Sequence, residues 1–291
     1  MTANQTRGKQ AGFTLVELLV ALVIVSILAA LSLSGLAVVR RRAKEDATRT
    51  TIRKIHEVIV PMYENYLDKR LSASAISSVT LTGSLALQRK KLVAIRKTLA
   101  FEMPDNWDDV GSVPSDFVNG RTRAYANYEG SADAPYGSAE CLYMICALSG
   151  FEPEAMENFR AAEIGDADGD GKPEFHDAWG SPIAFIRWPT GFAGPLTLNQ
   201  TTDDSFDPDN VDASRSSPPA APFAYGVTPL IYSPGIDKEY GLEIAQAVGS
   251  QSDANVSNFD VVTSPAGGHF AATTSVSQSA DNITNHDLNT R

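Results

Sequence analysis

The sequence is poor in the residues that staple small domains together or build metal knots. It has 2 cysteines and 4 histidines in 291 residues. Two cysteines, Cys141 and Cys146, are too few for a disulfide scaffold, and no histidine stands at zinc-finger spacing from them. Five positions along a helix is ~500° of rotation, which sets two side chains ~140° apart. If AECLYMICAL is helical it therefore reads as carrying two buried thiols, although an exported domain would allow a bridge. Positive charge is also short. Lys and Arg number 24 against 35 Asp and Glu, a formal net charge of −11. Such a balance argues against the whole chain acting on nucleic acid. Catalytic signatures are missing as well: there is no nucleophile elbow, zinc motif, phosphate-cradling glycine loop or pair of catalytic acids. His56, His176, His269 and His286 are scattered, and there is no internal repeat.

Charge is scarcest of all between Phe13 and Val39, where Glu17 stands alone among 27 residues. As a helix this run is roughly 40 Å long, more than the ~30 Å hydrocarbon core of a bilayer. A secretory signal would have an apolar region of only about 7–15 residues. The run therefore reads as a membrane helix. Arg7 and Lys9 precede it and Arg40, Arg41, Arg42 and Lys44 follow, so a count of flanking positive charge would put the C-terminal flank in the cytoplasm. Glu17 is the anomaly. An acid within a span costs about 2.5–3.5 kcal/mol on insertion scales and usually has a partner or a function, unless it sits near enough to the edge to reach water.

Gly12 followed by FTLVELLVALVIVSILAAL resembles the N-terminal processing motif of type IV pilins and type II secretion pseudopilins. In that pattern a short basic leader ends in Gly, Phe follows, and a Glu lies four residues after the Phe in a long apolar helix. The resemblance implies cleavage by a prepilin peptidase between Gly12 and Phe13, on the cytoplasmic side, and N-methylation of Phe13. A glycine before the cut lets the backbone approach a catalytic centre closely. It also implies a role for Glu17 in assembly, its carboxylate meeting the new Phe13 amine of a neighbouring subunit. The expected partners are further copies of the chain in a filament, the peptidase, an inner-membrane assembly platform and membrane lipid; nucleic acid is not expected. The implied location is the bacterial inner membrane, single-pass, with the C-terminal domain in the periplasm.

Beyond the span, Ile52, Ile55, Ile59, Met62 and Tyr66 fall at spacings of three and four, one face of a continuing helix. Pro61 should kink or locally break it. A second helix is expected over about 84–101, with Leu85, Leu92, Ile95 and Leu99 on one side. Arg89, Lys90, Lys91, Arg96 and Lys97 lie on the other, read as a solvated face. A third is expected over about 138–160. SPIAFIRW and PFAYGVTPLIYS read as strands, and the polar stretch 198–222 between them as a long surface loop. Residues 247–291 read as a polar extension, loosely ordered toward its end.

The strongest chemistry outside the N-terminus is DADGDGKPEFHD, residues 166–177. Set on the twelve-residue calcium loop, Asp166, Asp168 and Asp170 take positions one, three and five, and Gly171 the turn at six. Lys172 offers its carbonyl at seven, Glu174 stands at nine and Asp177 at twelve. Oxygen donors without His or Cys among the ligands favour calcium or magnesium. The ending in Asp is shared with dockerin-like loops, but AWGSPIAFI after it reads as turn and strand, so the loop lacks the second helix of the usual unit. A structural calcium is expected, tying the helix of 138–160 to the strand after Trp179. DAWGSPIAF and the later LIYSPGIDKEYG also resemble the Trp-Gly strand and final segment of major pseudopilins, which use calcium in a loop near the C-terminus. This chain is longer, and its acidic loop precedes the Trp-Gly turn; Asp237 and Glu239 are donors for a second oxygen site.

The expected protein is α+β: a long N-terminal helix, its first half in the membrane, packed on a globular domain with further helices and a small antiparallel sheet. Its divisions are a leader 1–12, a filament-core helix 13–39, an amphipathic continuation 40–70, a globular domain 71–246 and the extension 247–291. The expected function is a pseudopilin subunit of a type II secretion-like system, not an enzyme. The alternatives are a type IV pilus or DNA-uptake (competence) pilin and, with less support, a membrane-tethered enzyme.

Overall fold

The computed structural model describes residues 14–83, 85–111, 113–128, 136–189, 205–207, 209, 211, 228–240 and 281–288. The leader, Gly12, Phe13 and most of 198–222 and 247–280 lie outside the described residues. The chain divides into two units, Met1–Lys44 and Glu45–Arg291, and helix α1 (Leu15–Glu64) contributes to both.

In the first unit the apolar side chains of α1 have no protein cover: Leu15 is 80 % and Leu28 58 % exposed. The helix is long and apolar enough to cross a membrane. Its hydroxyls suit that medium. Ser26 and Ser32 donate to the carbonyls of Leu22 and Leu28, four residues back, at 2.7 and 2.8 Å. No free donor is then offered to hydrocarbon from those positions.

In the second unit the same helix carries the expected stripe. Ile52, Ile55, Ile59, Met62 and Tyr66 are all buried, joined by Thr48, Thr51, Val58 and Tyr63. Pro61 does not break the helix, which continues to Glu64. Proline removes one N–H and crowds the carbonyl four residues back, and here that falls in the last turn, where the helix is about to end. The carbonyl of Pro61 itself still accepts from the Asn65 N–H at 3.0 Å.

Helix α2 (Ala73–Ser77) is capped by the Ser72 hydroxyl. The longer α3 (Ala86–Glu102) buries Leu92, Ile95 and Leu99. Leu85 leaves the expected stripe: it precedes the helix with φ +63° and is half exposed. Helices α4 (Trp107–Gly111) and α5 (Gly120–Ala126) follow. Helix α6 (Gly137–Leu148) is buried on nearly all sides, as its apolar sequence requires. It is shorter than expected. Gly150 adopts φ +66° just after its C-cap, a left-handed stop that ends the helix. Met156 and Phe159 reach the core from a separate 3₁₀ turn, Ala155–Asn158. Cys141 and Cys146 are free and buried.

A buried acid ties the helix ends together. The Glu102 carboxylate accepts from the Tyr66 hydroxyl (2.7 Å), Lys69 Nζ (2.6 Å), Arg121 Nη1 (2.6 Å) and Asn119 Nδ2 (3.0 Å). Arg121 Nε also donates to the Ser149 carbonyl. A lone carboxylate there would be costly to desolvate; surrounded by four donors it fixes the ends of α1, α3, α5 and α6.

The strands are short. β1 (Ile164–Gly165) and β2 (Glu174–Phe175) pair antiparallel as a hairpin, so the acidic loop forms its tip. β3 (Ala184–Ile186), β4 (Leu230–Ser233) and β5 (Ile283–Thr284) form an antiparallel sheet with β4 in the middle. Alternation sends Phe185 and Ile231 to the main core, and Ala184, Ile186, Leu230 and Tyr232 to a smaller cluster with Tyr240 on the other face. The sheet lies against α6 through β3.

Two polar stretches prove to be anchored. In the expected surface loop, Phe206 meets the Tyr63 ring edge-on at 5.3 Å, and Asp207 and Val211 are buried. In the expected loose extension, Ile283, Thr284, Asn285 and His286 are buried. Asn285 accepts from the Ile231 N–H and donates to the Pro229 carbonyl, both at 2.9 Å, and its amide also meets His56 on α1. Apolar contacts and side-chain bonds to backbone act together in both: Asp207 accepts from the Val211 N–H as Asn285 does from that of Ile231.

Candidate processing segment and cation site

The first described residues of α1 form a reciprocal cap. The Thr14 N–H and hydroxyl donate to Glu17 Oε2 at 2.8 and 2.9 Å, and the Glu17 N–H returns a bond to the Thr14 hydroxyl at 3.2 Å. This is a capping box: orphan donors at a helix start are satisfied by a Thr and by the Glu three residues on. The pattern T-x-x-E is visible in the sequence, but it lay beneath the stronger reading of Glu17 as a misplaced acid. Thr14 is thus a partner of Glu17 that the sequence reading missed. Gly12 and Phe13 lie outside the described residues.

A negative group at a helix start is favoured by the unpaired N–H groups there. Glu17 therefore stands in the first turn of this helix, where those N–H groups favour a negative charge. The residues just before it decide what the segment is. The model of the prokaryotic N-terminal methylation motif matches residues 7–33. The chain is type IV pilin-like. That motif marks a substrate of the prepilin peptidase and a structural subunit of pilus-type assemblies, and the apolar helix that follows fits single-pass membrane anchoring. Beyond the motif, no curated protein and no solved structure matches the pilin-like chain.

The second candidate lies in the globular unit, at the tip of the β1–β2 hairpin. Gly169 and Gly171 take φ +79° and +90°, conformations open to residues without a Cβ. They let the loop fold back on its own carboxylates. The Asp166 carboxylate accepts from the N–H groups of Gly169 (2.7 Å) and Gly171 (3.0 Å); Asp170 accepts from the Lys172 N–H (2.7 Å). Oxygens of Asp166, Asp168 and Asp170 all lie within 4.8 Å of one another.

The other positions of the twelve-residue reading divide. Glu174, on β2, is fully buried. Its Oε2 accepts from the Ala167 N–H (3.1 Å) and lies 3.3 Å from His176 Nε2. His176 packs so closely on the hairpin that a Cβ at Gly165 would collide with its ring. Lys172 turns its ammonium away, donating to the Tyr128 carbonyl at 2.6 Å over the Tyr128 ring. Asp177 corrects the sequence reading. Its Oδ1 accepts from the N–H groups of Trp179 (2.8 Å) and Ser181 (2.9 Å), and its Oδ2 from the Ser233 hydroxyl (2.6 Å). It holds the Trp-Gly turn to β4 and stands outside the groups of acids able to share a cation. The reason is the strand that follows the loop: Phe175 pairs in the hairpin, which turns position twelve away from its tip.

A residue far from the loop in sequence joins its acids. Glu140, on α6, is fully buried, and an oxygen of it lies within 4.8 Å of oxygens of both Asp168 and Glu174. Its Oε2 accepts from the Trp107 indole N–H at 2.6 Å. Burial raises its carboxyl to about 7; the Trp107 bond opposes this, and the nearby charges of Asp170, Asp168 and Glu174 add to it. Glu140 Oε1 and Glu174 Oε1 have no hydrogen-bond partner among the described residues. Asp237 and Glu239 show no comparable grouping among the described residues: their turn is held by the Asp281 carboxylate, which accepts from the N–H groups of Ile236 and Asp237.

Proposed function

We propose that the chain is a pseudopilin-type subunit of a type II secretion-like system. It is cleaved between Gly12 and Phe13, N-methylated at Phe13, stored in the bacterial inner membrane by the first half of α1, and drawn into a short filament in the periplasm. The observation that supports this best is the methylation motif leading into a helix whose first half is apolar and uncovered and whose second half is the spine of a folded domain. A tether needs only the apolar half. A subunit needs an end that is chemically remade and a domain fixed to the same helix.

In the filament the Phe13 amine of one subunit pairs with Glu17 of its neighbour, two charges that are each expensive in hydrocarbon and together mark one axial register. Glu17 then exchanges part of its bonding with Thr14 for an ammonium. N-terminal mass spectrometry of the protein purified from its native membrane is the test. A chain beginning at N-methyl-Phe13 is expected; an intact leader overturns the reading. The alternative within the same class is a type IV pilus or DNA-uptake subunit. Long surface filaments carrying the chain, in place of short periplasmic ones, would establish that alternative.

A further inference from the structure

We propose that the β1–β2 hairpin and helix α6 together bind one calcium ion, held between Glu140, Asp168 and Glu174, with Asp166 and Asp170 extending the site toward solvent. The site differs from a linear calcium loop in its ligands: Glu140 enters from another element, and Asp177 is not used.

Two independent observations point to the ion. One is spacing. Carboxylate oxygens of the three residues lie within 4.8 Å of one another, and oxygens bound to one calcium at about 2.4 Å stand at most about twice that distance apart. The three acids therefore stand within the span that one cation bridges. The other is the state of the two buried acids. Glu140 and Glu174 are fully buried, and each keeps one carboxylate oxygen with no hydrogen-bond partner among the described residues. Buried polar atoms are nearly always satisfied, and a cation held by these grouped acids would satisfy the two that keep an orphaned oxygen. The neighbouring donors among the described residues do not supply it. Lys172 is turned to Tyr128, and His176 touches the oxygen of Glu174 that is already bonded to Ala167.

The donor set selects the ion. Oxygen ligands with several carboxylates suit a large, hard cation, whereas magnesium demands a tighter octahedron and keeps more of its water. Asp166, Asp168 and Asp170 are exposed, so the ion enters from solvent and seats against the two buried acids. Once bound it joins α6 to the hairpin.

The test uses the full-length protein in detergent, stripped with chelator and dialysed. Terbium is the first probe, because its emission is sensitised by a nearby indole and Trp107 donates directly to Glu140. Excitation of tryptophan should give terbium emission that calcium displaces, with one ion per chain. Trp107→Phe should lose most of the emission while still binding calcium by calorimetry. Glu140→Gln and Asp168→Asn should each weaken calcium at least tenfold; Asp168 is exposed, so its variant guards against misfolding at Glu140. Metal-free Glu140→Gln should melt at the same or a higher temperature than the metal-free parent, since it removes a buried charge, and it should lose the rise that calcium gives the parent. Calcium affinity unchanged in Glu140→Gln would move the site to the exposed loop alone and overturn the proposal. So would unchanged affinity in Asp168→Asn, or no binding by the parent at 10⁻² M calcium, above the weak end of extracellular modules at about 10⁻³ M.

Discussion

Glu17 and Glu140 pose the same problem at the scale of a single residue. Each is the one acid in an apolar helical stretch, Glu17 between Phe13 and Val39 and Glu140 in GSAECLYMICAL. Only the first was read as functional, because a motif of known register surrounded it. Nothing near Glu140 in sequence points to a loop that begins 26 residues later, although the chemical anomaly is identical. The structure gives Glu17 a capping role, the proposed filament gives it a second, and variants can separate the two. Glutamine is also accepted at this position of a capping box, so Glu17→Gln keeps the bond to Thr14 and removes only the charge. Glu17→Ala removes both. If register in the filament depends on charge, Gln and Ala should abolish filament yield equally while both proteins remain in the membrane fraction. Filaments formed by Gln and not by Ala would show that the cap is what matters.

Between elements, the attachment of α1 to the rest of its unit is polar at one end and apolar along its length. The stripe Ile52, Ile55, Ile59, Met62 and Tyr66 was legible because burial on one helix face leaves a period in the sequence. The polar attachment leaves none. Thr51 and Lys54 on α1 bond to Glu163, just before β1, at 2.7 and 2.9–3.0 Å. Burial alone would raise the Glu163 carboxyl. Bonds from the side chain and backbone of Arg160, from Lys54 and from Thr51 outweigh it and hold it at about 2, against an ordinary value of 4.5. A carboxyl depressed in the folded state stabilises fully above its unfolded pKa, and the gain is lost as pH falls through its folded one. The difference in unfolding free energy between the parent and Glu163→Gln should therefore be flat above about pH 5 and shrink steadily toward pH 2. Denaturant titrations at several pH values measure it. A difference that does not change across that range would show that the bonds, and not the ionisation, carry the stability.

Across the whole molecule, the fold class and the pilin-like N-terminus were readable, and the closure of the globular unit was not. The α+β reading followed from helix periodicity early in the chain and β-branched, aromatic runs later. The ends of elements were missed where a single backbone angle decides them, as at Gly150, and so was β5, whose two residues sit in a stretch of Ser, Thr and Asn. Asn285 shows what that segment contributes. It satisfies the Ile231 N–H and the Pro229 carbonyl at the centre of the sheet. Replacing it with Ala leaves the Ile231 N–H unpaired and the Pro229 carbonyl with only the 3.4 Å contact from His286 Nε2, and should cost about 1–3 kcal/mol, read as a lower denaturant midpoint. Removing residues 281–291 should do more, exposing the edge of β4 and giving a chain that aggregates when its detergent is diluted. A truncated protein with an unchanged midpoint would mean that the segment merely rests on the domain.

The position of β5 also sets a timetable. Tyr232 and Ser233 pair with Thr284 and Ile283, so a ribosome completes β4 some fifty residues before it makes the partner of its free edge. At 5–20 residues per second that interval lasts roughly 3–10 s. During it a strand edge is open to any second chain nearby, and chains emerging close together on one polysome are the nearest. Slowing translation between 234 and 282 by rare codons would lengthen that exposure without altering the finished protein.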